Sequence, residues 1–193
     1  AGPGGKTVEM EIGALDVGLN WLASDLRADL GVKFAFNTSG SVPVVSGLGG
    51  SFELTDGEFD FETFTINSLA ATAMFGVTEN YFGARVGVEF GQFQVEGGIF
   101  FGKCCTLAPI ETIDSLAADV LPGPTFNGIY CYGEGTFPVF GTGTCIFNVS
   151  AKAGAGVFYD GDSSTFGGIM TLGIYGEALC VVEVGGEVTL VGA

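Results

Sequence analysis

The sequence predicts an all-β chain, an antiparallel β-barrel or sandwich of roughly 10–12 strands with one short helix near residues 110–121. Three observations carry this. Apolar residues alternate with polar residues or Gly over most of the length, the period-two signature of strands. Gly-containing turn signals punctuate the alternating runs. One stretch alone switches to helical spacing.

In chain order, Val8, Met10 and Ile12 open a first strand, and looser alternation runs from Ile12 to Trp21. From Leu26 to Phe36 one face carries Leu26, Ala28, Leu30, Val32, Phe34 and Phe36, and the other Arg27, Asp29, Gly31, Lys33 and Ala35. Asp56-Gly57 predicts a two-residue hairpin turn. Phe82–Phe90 repeats the alternation, with Phe82, Ala84, Val86, Val88 and Phe90 opposed to Gly83, Arg85, Gly87 and Glu89.

Between Pro109 and Pro122, Ile113, Leu116, Ala117, Val120 and Leu121 fall at helical spacing, with acidic residues in the first turns and Pro-Gly-Pro as the stop. Such a helix joins two β halves and is placed to plug or cover an end of the sheet system. Val149–Tyr159 is a further strand, and Asp160-Gly161-Asp162 with Ser163 and Ser164 a turn. From Gly168 to Val184 a single face carries Met170, Leu172, Ile174, Ala178, Cys180, Val182 and Val184, and Val188 and Leu190 continue a last strand.

At 193 residues the chain reads as a single domain, residues 1–6 being a linker or a processed N-terminus. No run approaches the ~18 apolar residues of a transmembrane helix. A hydrophobic fraction of 47% excludes disorder. Six basic against 22 acidic residues give a net charge of −16, which repels phosphate and excludes nucleic acid as a partner. The absence of His removes Ser-His-Asp and Cys-His catalysis and the HExxH zinc helix. No cofactor is expected.

Cysteines stand at 104, 105, 131, 145 and 180, none in a CxxC pair. Cys131 and Cys145 straddle Pro138 symmetrically, so a reversal there sets them face to face as a possible disulfide. A turn at Gly141-Thr142-Gly143 instead puts a residue near 153 opposite Cys131 and removes that bridge. Several of the five also read as small buried apolar residues.

The 34 glycines are about 18% of the chain against a usual ~7%. Gly83, Gly87, Gly91, Gly154, Gly156, Gly173 and Gly185 lie on strand faces opposite the apolar ones. Glycine has no side chain to pack, so its place there implies that something approaches closely. Two arrangements fit: an apolar face turned into a protein core, or an apolar face meeting lipid with Gly and charge lining a lumen. Against the second stand apparently short loops, a C-terminus without an aromatic residue, and a mean hydropathy of +0.48 that suits burial on both faces.

Other candidate chemistry has a plainer reading beside it. Glu53, Asp56, Glu58, Asp60 and Glu62 form the densest acidic cluster and read as a calcium-binding edge or a solvated strand face that opposes aggregation. Asp160, Asp162 and Ser163 offer oxygen ligands but lack an EF-hand series and read as a turn. The aromatics Phe90, Phe93, Phe100, Phe101, Tyr130, Tyr132, Phe137, Phe140 and Phe147 suit a cavity, a membrane girdle or, first, core packing.

The sequence reading is therefore a non-enzymatic, self-associating β module of an exported cell-surface or extracellular protein, partnered by itself or by neighbouring domains of a larger chain. The alternative is a membrane-embedded or lipid-handling β-barrel. A lesser alternative is a carbohydrate-active enzyme using paired carboxylates.

Overall fold

The computed structural model describes residues 7–18, 26–38, 42–114, 117, 121, 123–141, 147–178 and 182–192. Strands β1 (Thr7–Gly18), β2 (Arg27–Asn37), β3 (Val44–Asp56), β4 (Phe59–Phe61), β5 (Phe64–Gly76), β6 (Asn80–Phe90), β7 (Phe93–Cys104), β8 (Phe126–Gly141), β9 (Phe147–Asp160), β10 (Thr165–Ala178) and β11 (Val182–Gly192) form one sheet. Its order is β1-β2-β3-β5-β6-β7-β8-β9-β10-β11, with β4 paired to β5. All pairings are antiparallel, so the chain is an all-β up-and-down meander.

β4 prolongs β3 along the same neighbour. Glu53 pairs with Ala70 and Phe59 with Ile66, so residues 54–58 face only 67–69. The surplus is taken up at Gly57, whose φ is +83° and whose N–H donates to Asp56 Oδ1 at 2.9 Å. This corrects the expected hairpin at Asp56-Gly57. The reversal falls at residues 62–63, between the paired Phe61 and Phe64.

A second correction concerns Gly168–Val184, which is two strands. Ala178 at the end of β10 pairs with Val182 at the start of β11, and residues 179–181 lie outside the described residues. Directly opposed residues of an antiparallel pair share a face, so alternation carries from β10 into β11 without a break. The turn at 161–164 is found as expected, closing on Thr165 opposite Asp160.

The helix lies where the spacing placed it, in shorter form. α1 (Ala108–Glu111) starts with Pro109 in its first turn, where a missing N–H costs nothing. Helical bonds continue from Asp114 N–H to Ile110 O (2.8 Å) and from Leu121 N–H to Ala117 O (3.1 Å). Leu116 and Val120 lie outside the described residues.

The sheet is rolled around this segment. One buried cluster joins Ile110, Ile113, Ala117 and Leu121 to Ala35 of β2, Met74 of β5, Tyr81 of β6, Phe100 of β7, Phe126 and Tyr130 of β8, Phe158 of β9 and Ile169 of β10. The inner faces of β2 and of β5 through β10 therefore share one core with the inserted segment. Among the described residues, β1 pairs only with β2 and β11 only with β10.

Candidate functional site

The two faces of the sheet have opposite chemistry, and the apolar one points outward. Every strand contributes an exposed large apolar side chain: Val8, Leu30, Leu48, Phe61, Phe75, Val86, Ile99, Ile129, Val157, Leu172 and Val188, from β1 to β11 in order. On β6 the parity is clear, with Phe82, Val86 and Phe90 exposed while Tyr81, Gly83 and Gly87 are buried. A soluble monomer rarely exposes a contiguous apolar patch beyond a few hundred Å². This one spans the whole sheet.

Aromatic side chains border the patch along both rims. Along one, Phe82 pairs with Phe101, Phe101 with Ile129, Ile129 with Tyr159, and Tyr159 with Phe166. Along the other, Phe61 stacks on Phe64 at 4.7 Å, Phe64 lies 5.8 Å from Phe90, Phe90 pairs with Phe93, and Phe93 meets Phe137 edge-on at 6.3 Å. Between the rows, the outward positions Ala84, Val86, Val88, Val95, Gly97, Ile99, Cys131, Gly133 and Gly135 carry no charge. Nine residues separate the rows on β6, counting Phe82 and Phe90.

The inner face has two halves. Toward the β7–β8 connection it is apolar and filled by the inserted segment. A Cβ at Gly83 would lie 2.9 Å from Ile113 Cγ1, and one at Gly98 would lie 2.5 Å from the Tyr132 ring and 2.7 Å from Ile113 Cγ2. The inserted segment is also held by polar contacts. Tyr132 Oη lies 2.8 Å from Glu96 Oε1 and 2.9 Å from Ile113 O, and Tyr130 Oη donates to Asp114 Oδ2.

Toward the other rim the inner face is polar and charged. Arg85 Nη2 reaches Glu53 Oε1 at 3.0 Å across β5, where Ala70 is the residue paired to both. Lys152 Nζ lies 2.9 Å from Glu134 and 3.9 Å from Glu187, with Gly173 paired to both Lys152 and Glu187. Tyr175 Oη donates to Glu187 at 2.5 Å. For Arg85–Glu53 and for Lys152–Glu187 a small residue on the strand between, Ala70 or Gly173, lets opposite charges meet.

The inward glycines thus have a specific visitor, and it belongs to the same chain. Ile113 and Phe100 approach Gly83, Ile169 and Tyr130 approach Gly156, and Tyr175 approaches Gly173 and Gly185. Gly91 differs: its φ is +63° with open space around it, so it is a turn residue of the β6–β7 reversal.

The other sequence candidates disperse. Of the aromatics, Phe100 and Tyr130 are fully buried, while Phe90, Phe93, Phe101, Phe137 and Phe140 are exposed on the outer face, and the Phe147 side chain lies outside the described residues. Core packing therefore accounts for a minority of them. The acidic cluster splits: Glu53 turns inward to Arg85, Asp56 caps Gly57, and Asp60 accepts from Thr65 Oγ1 at 3.2 Å. Asp160 serves its turn, accepting from Asn127 N–H (3.0 Å), Ser163 N–H (3.0 Å) and Ser163 Oγ (2.5 Å). Burial works to raise the Asp160 pKa, but the bond from Ser163 Oγ and those from backbone N–H groups outweigh it and hold the carboxyl below its usual range.

Cys131 is a free thiol on β8, and its partners across the ladders are Ile99 and Val157. Pro138 pairs with Ser150, and the β8–β9 ladder continues out to Gly141 opposite Asn148. The chain does not reverse at Pro138, so the geometry that would have set Cys131 against Cys145 is not adopted. Cys145 itself lies outside the described residues. Among the described residues no group of three or more Cys, Asp or Glu side chains is arranged to hold a metal ion.

Sequence reading had not singled out Glu96, Glu134, Lys152 or Glu187. Their parity opposite the apolar face is visible, but their partners depend on strand register: Glu96 meets Tyr132 through β7 against β8 across a 21-residue connection, and Lys152 meets Glu134 through β8 against β9 and Glu187 through β9, β10 and β11, which no local pattern reveals. Comparison with known protein families, curated proteins and solved structures finds no match for this chain.

Proposed function

We propose that the chain is a membrane-embedded β-barrel of a cell envelope, its outer face solvated by lipid tails and its inner face holding the polar groups. One observation carries this reading: on β6, β7 and β8, where both aromatic rows run, the outward residues between them are apolar or Gly, while charge lies on the inner face and at the rims. Transmembrane barrels alternate apolar-out and polar-in, with aromatic girdles at both interfaces. The nine-residue interval on β6 fits the ~9–11 residues of a tilted membrane strand. Among the described residues no helix is long and apolar enough to cross a membrane, so crossing rests on the strands. High mean hydropathy follows naturally, because the lumen also holds an apolar segment. The reading assigns no catalytic role.

Fractionation tests it. Protein made with its native export route should stay with membranes through high salt and alkaline carbonate and leave only with detergent. Release without detergent overturns the reading.

A second reading, the self-associating structural module, is favoured by the one-sided pairing of β1 and β11. Unpaired strand edges template further pairing. Mass photometry across micromolar concentrations separates the two, since the module forms dimers or larger species and a barrel closed on itself in detergent stays monomeric.

A further inference from the structure

We propose that the β7–β8 connection is a fixed stopper that seals the lumen, making the protein a non-conducting barrel whose polar half is a one-ended chamber. The inference rests on the membrane reading and deepens it. The connection runs 21 residues from β7 to β8, whereas β6 and β7 are joined by two. Neighbouring antiparallel strands are usually joined by 2–5 residues, so a connection of that length has a task beyond reversing the chain.

Here the chain enters the lumen and packs. Ile110, Ile113 and Ala117 have no exposed surface and Leu121 only 8%. Ile113 sits against Gly83 and Gly98, positions on adjacent strands where any side chain would collide with it. Tyr132 and Tyr130 bond to the segment from the wall. The gap beside Asp114, between Tyr132 and Thr171, is about 20 Å³, room for about one water. On the far side of Tyr132 the interior opens into a polar cavity of about 110 Å³ lined by Asn67, Gln94, Glu96, Glu134 and Thr136. A solute entering from that rim along β8, β9 and β10 meets a packed wall, and the larger space of about 270 Å³ beside the segment lies at its start, between Thr106, Ala108 and Pro109 and the side chains of Met10, Phe34 and Met74.

The test uses the full chain reconstituted into lipid vesicles and planar bilayers. Wild type is expected to float with vesicles and to give no stepwise conductance in potassium chloride. Ile113→Asp places a charge in the packed notch and is expected to raise the frequency of conducting events at least tenfold. Wild-type protein that floats and conducts overturns the stopper and leaves the membrane reading intact. Protein that does not float overturns the membrane reading.

A second measurement covers loss of folding in that variant and needs no bilayer. In Ile110→Cys, made in a background where the native cysteines other than Cys105 are serine, a charged maleimide should label position 110 at least tenfold more slowly than Cys105. Equal rates in protein with native strand content show an unseated segment and overturn the proposal.

Discussion

Ile113 occupies the space that a side chain at Gly98 would need: a Cβ there would stand 2.7 Å from Ile113 Cγ2 and 3.0 Å from the carbonyl oxygen of Ala84. The glycine is thus a socket, closed also by the Tyr132 ring at 2.5 Å, and its neighbours do not yield cheaply, since Ile113 is buried, Tyr132 is hydrogen-bonded to Glu96 and Ile113, and Ala84 O is backbone. Gly98→Val is expected to cost about 1–3 kcal/mol by overpacking. Gly133→Ala, whose new Cβ would have its nearest contact at 3.9 Å, is expected to stay within about 0.5 kcal/mol of wild type. Urea titration of both variants in detergent micelles checks the pair. Equal losses would show that inward glycines are not specially constrained.

How much of this was legible beforehand differs by feature. Strand existence was plain, because Phe82, Val86 and Phe90 alternate with Gly83, Arg85 and Gly87 wherever the strand sits. The inserted helix was legible too, since Ile113, Ala117 and Leu121 break the period. Which face looks inward was not. Parity sorts residues into two sets but does not say which set meets water, lipid or core. The deciding contact, Ile113 on Gly83 and Gly98, joins residues whose meeting depends on how the sheet curls. The division between β10 and β11 was hidden for a related reason, as the paired Ala178 and Val182 have one parity in the sequence.

Val86 is outward on β6, midway between Phe82 and Phe90, and 41% exposed. If lipid covers this face, Val86→Arg should destabilise the vesicle-embedded fold by about 2–4 kcal/mol, the cost of a cation near the bilayer midplane. If water covers it, the same change should stay within about 0.5 kcal/mol, as surface substitutions do. Folding equilibria in lipid vesicles distinguish the outcomes.

Ala70 is fully buried and paired to both Glu53 and Arg85, whose side chains meet over it. Ala70→Leu drives a longer side chain between them. Overpacking and the separated ion pair are together expected to cost about 2–4 kcal/mol. In the Glu53→Gln background, where the ionic contact is already gone, the added loss from Ala70→Leu should be smaller. A double-mutant cycle by urea denaturation measures the difference, and strict additivity would show that Ala70 does not act through the pair.

Asp160 lies past Tyr159 at the rim, and its carboxylate collects the N–H groups of Asn127 and Ser163 and the Ser163 hydroxyl. These donors favour the ionised form and hold its pKa below the usual value in spite of burial. In the unfolded chain the group titrates near its ordinary value, about 3.9. The folded state therefore binds this proton less readily than the unfolded state. The stability it contributes is fully present above about pH 4 and is lost as pH falls through the lower folded value. Asp160→Asn keeps the shape but replaces one accepting oxygen with a donor that faces other donors. It is expected to cost about 1–3 kcal/mol at pH 7, with the gap to wild type narrowing below about pH 4 as the wild-type carboxylate protonates. Urea titrations of both proteins at pH 7 and pH 3 provide the check. A gap that is the same at both values would mean that the turn is held by shape and not by the charge on Asp160.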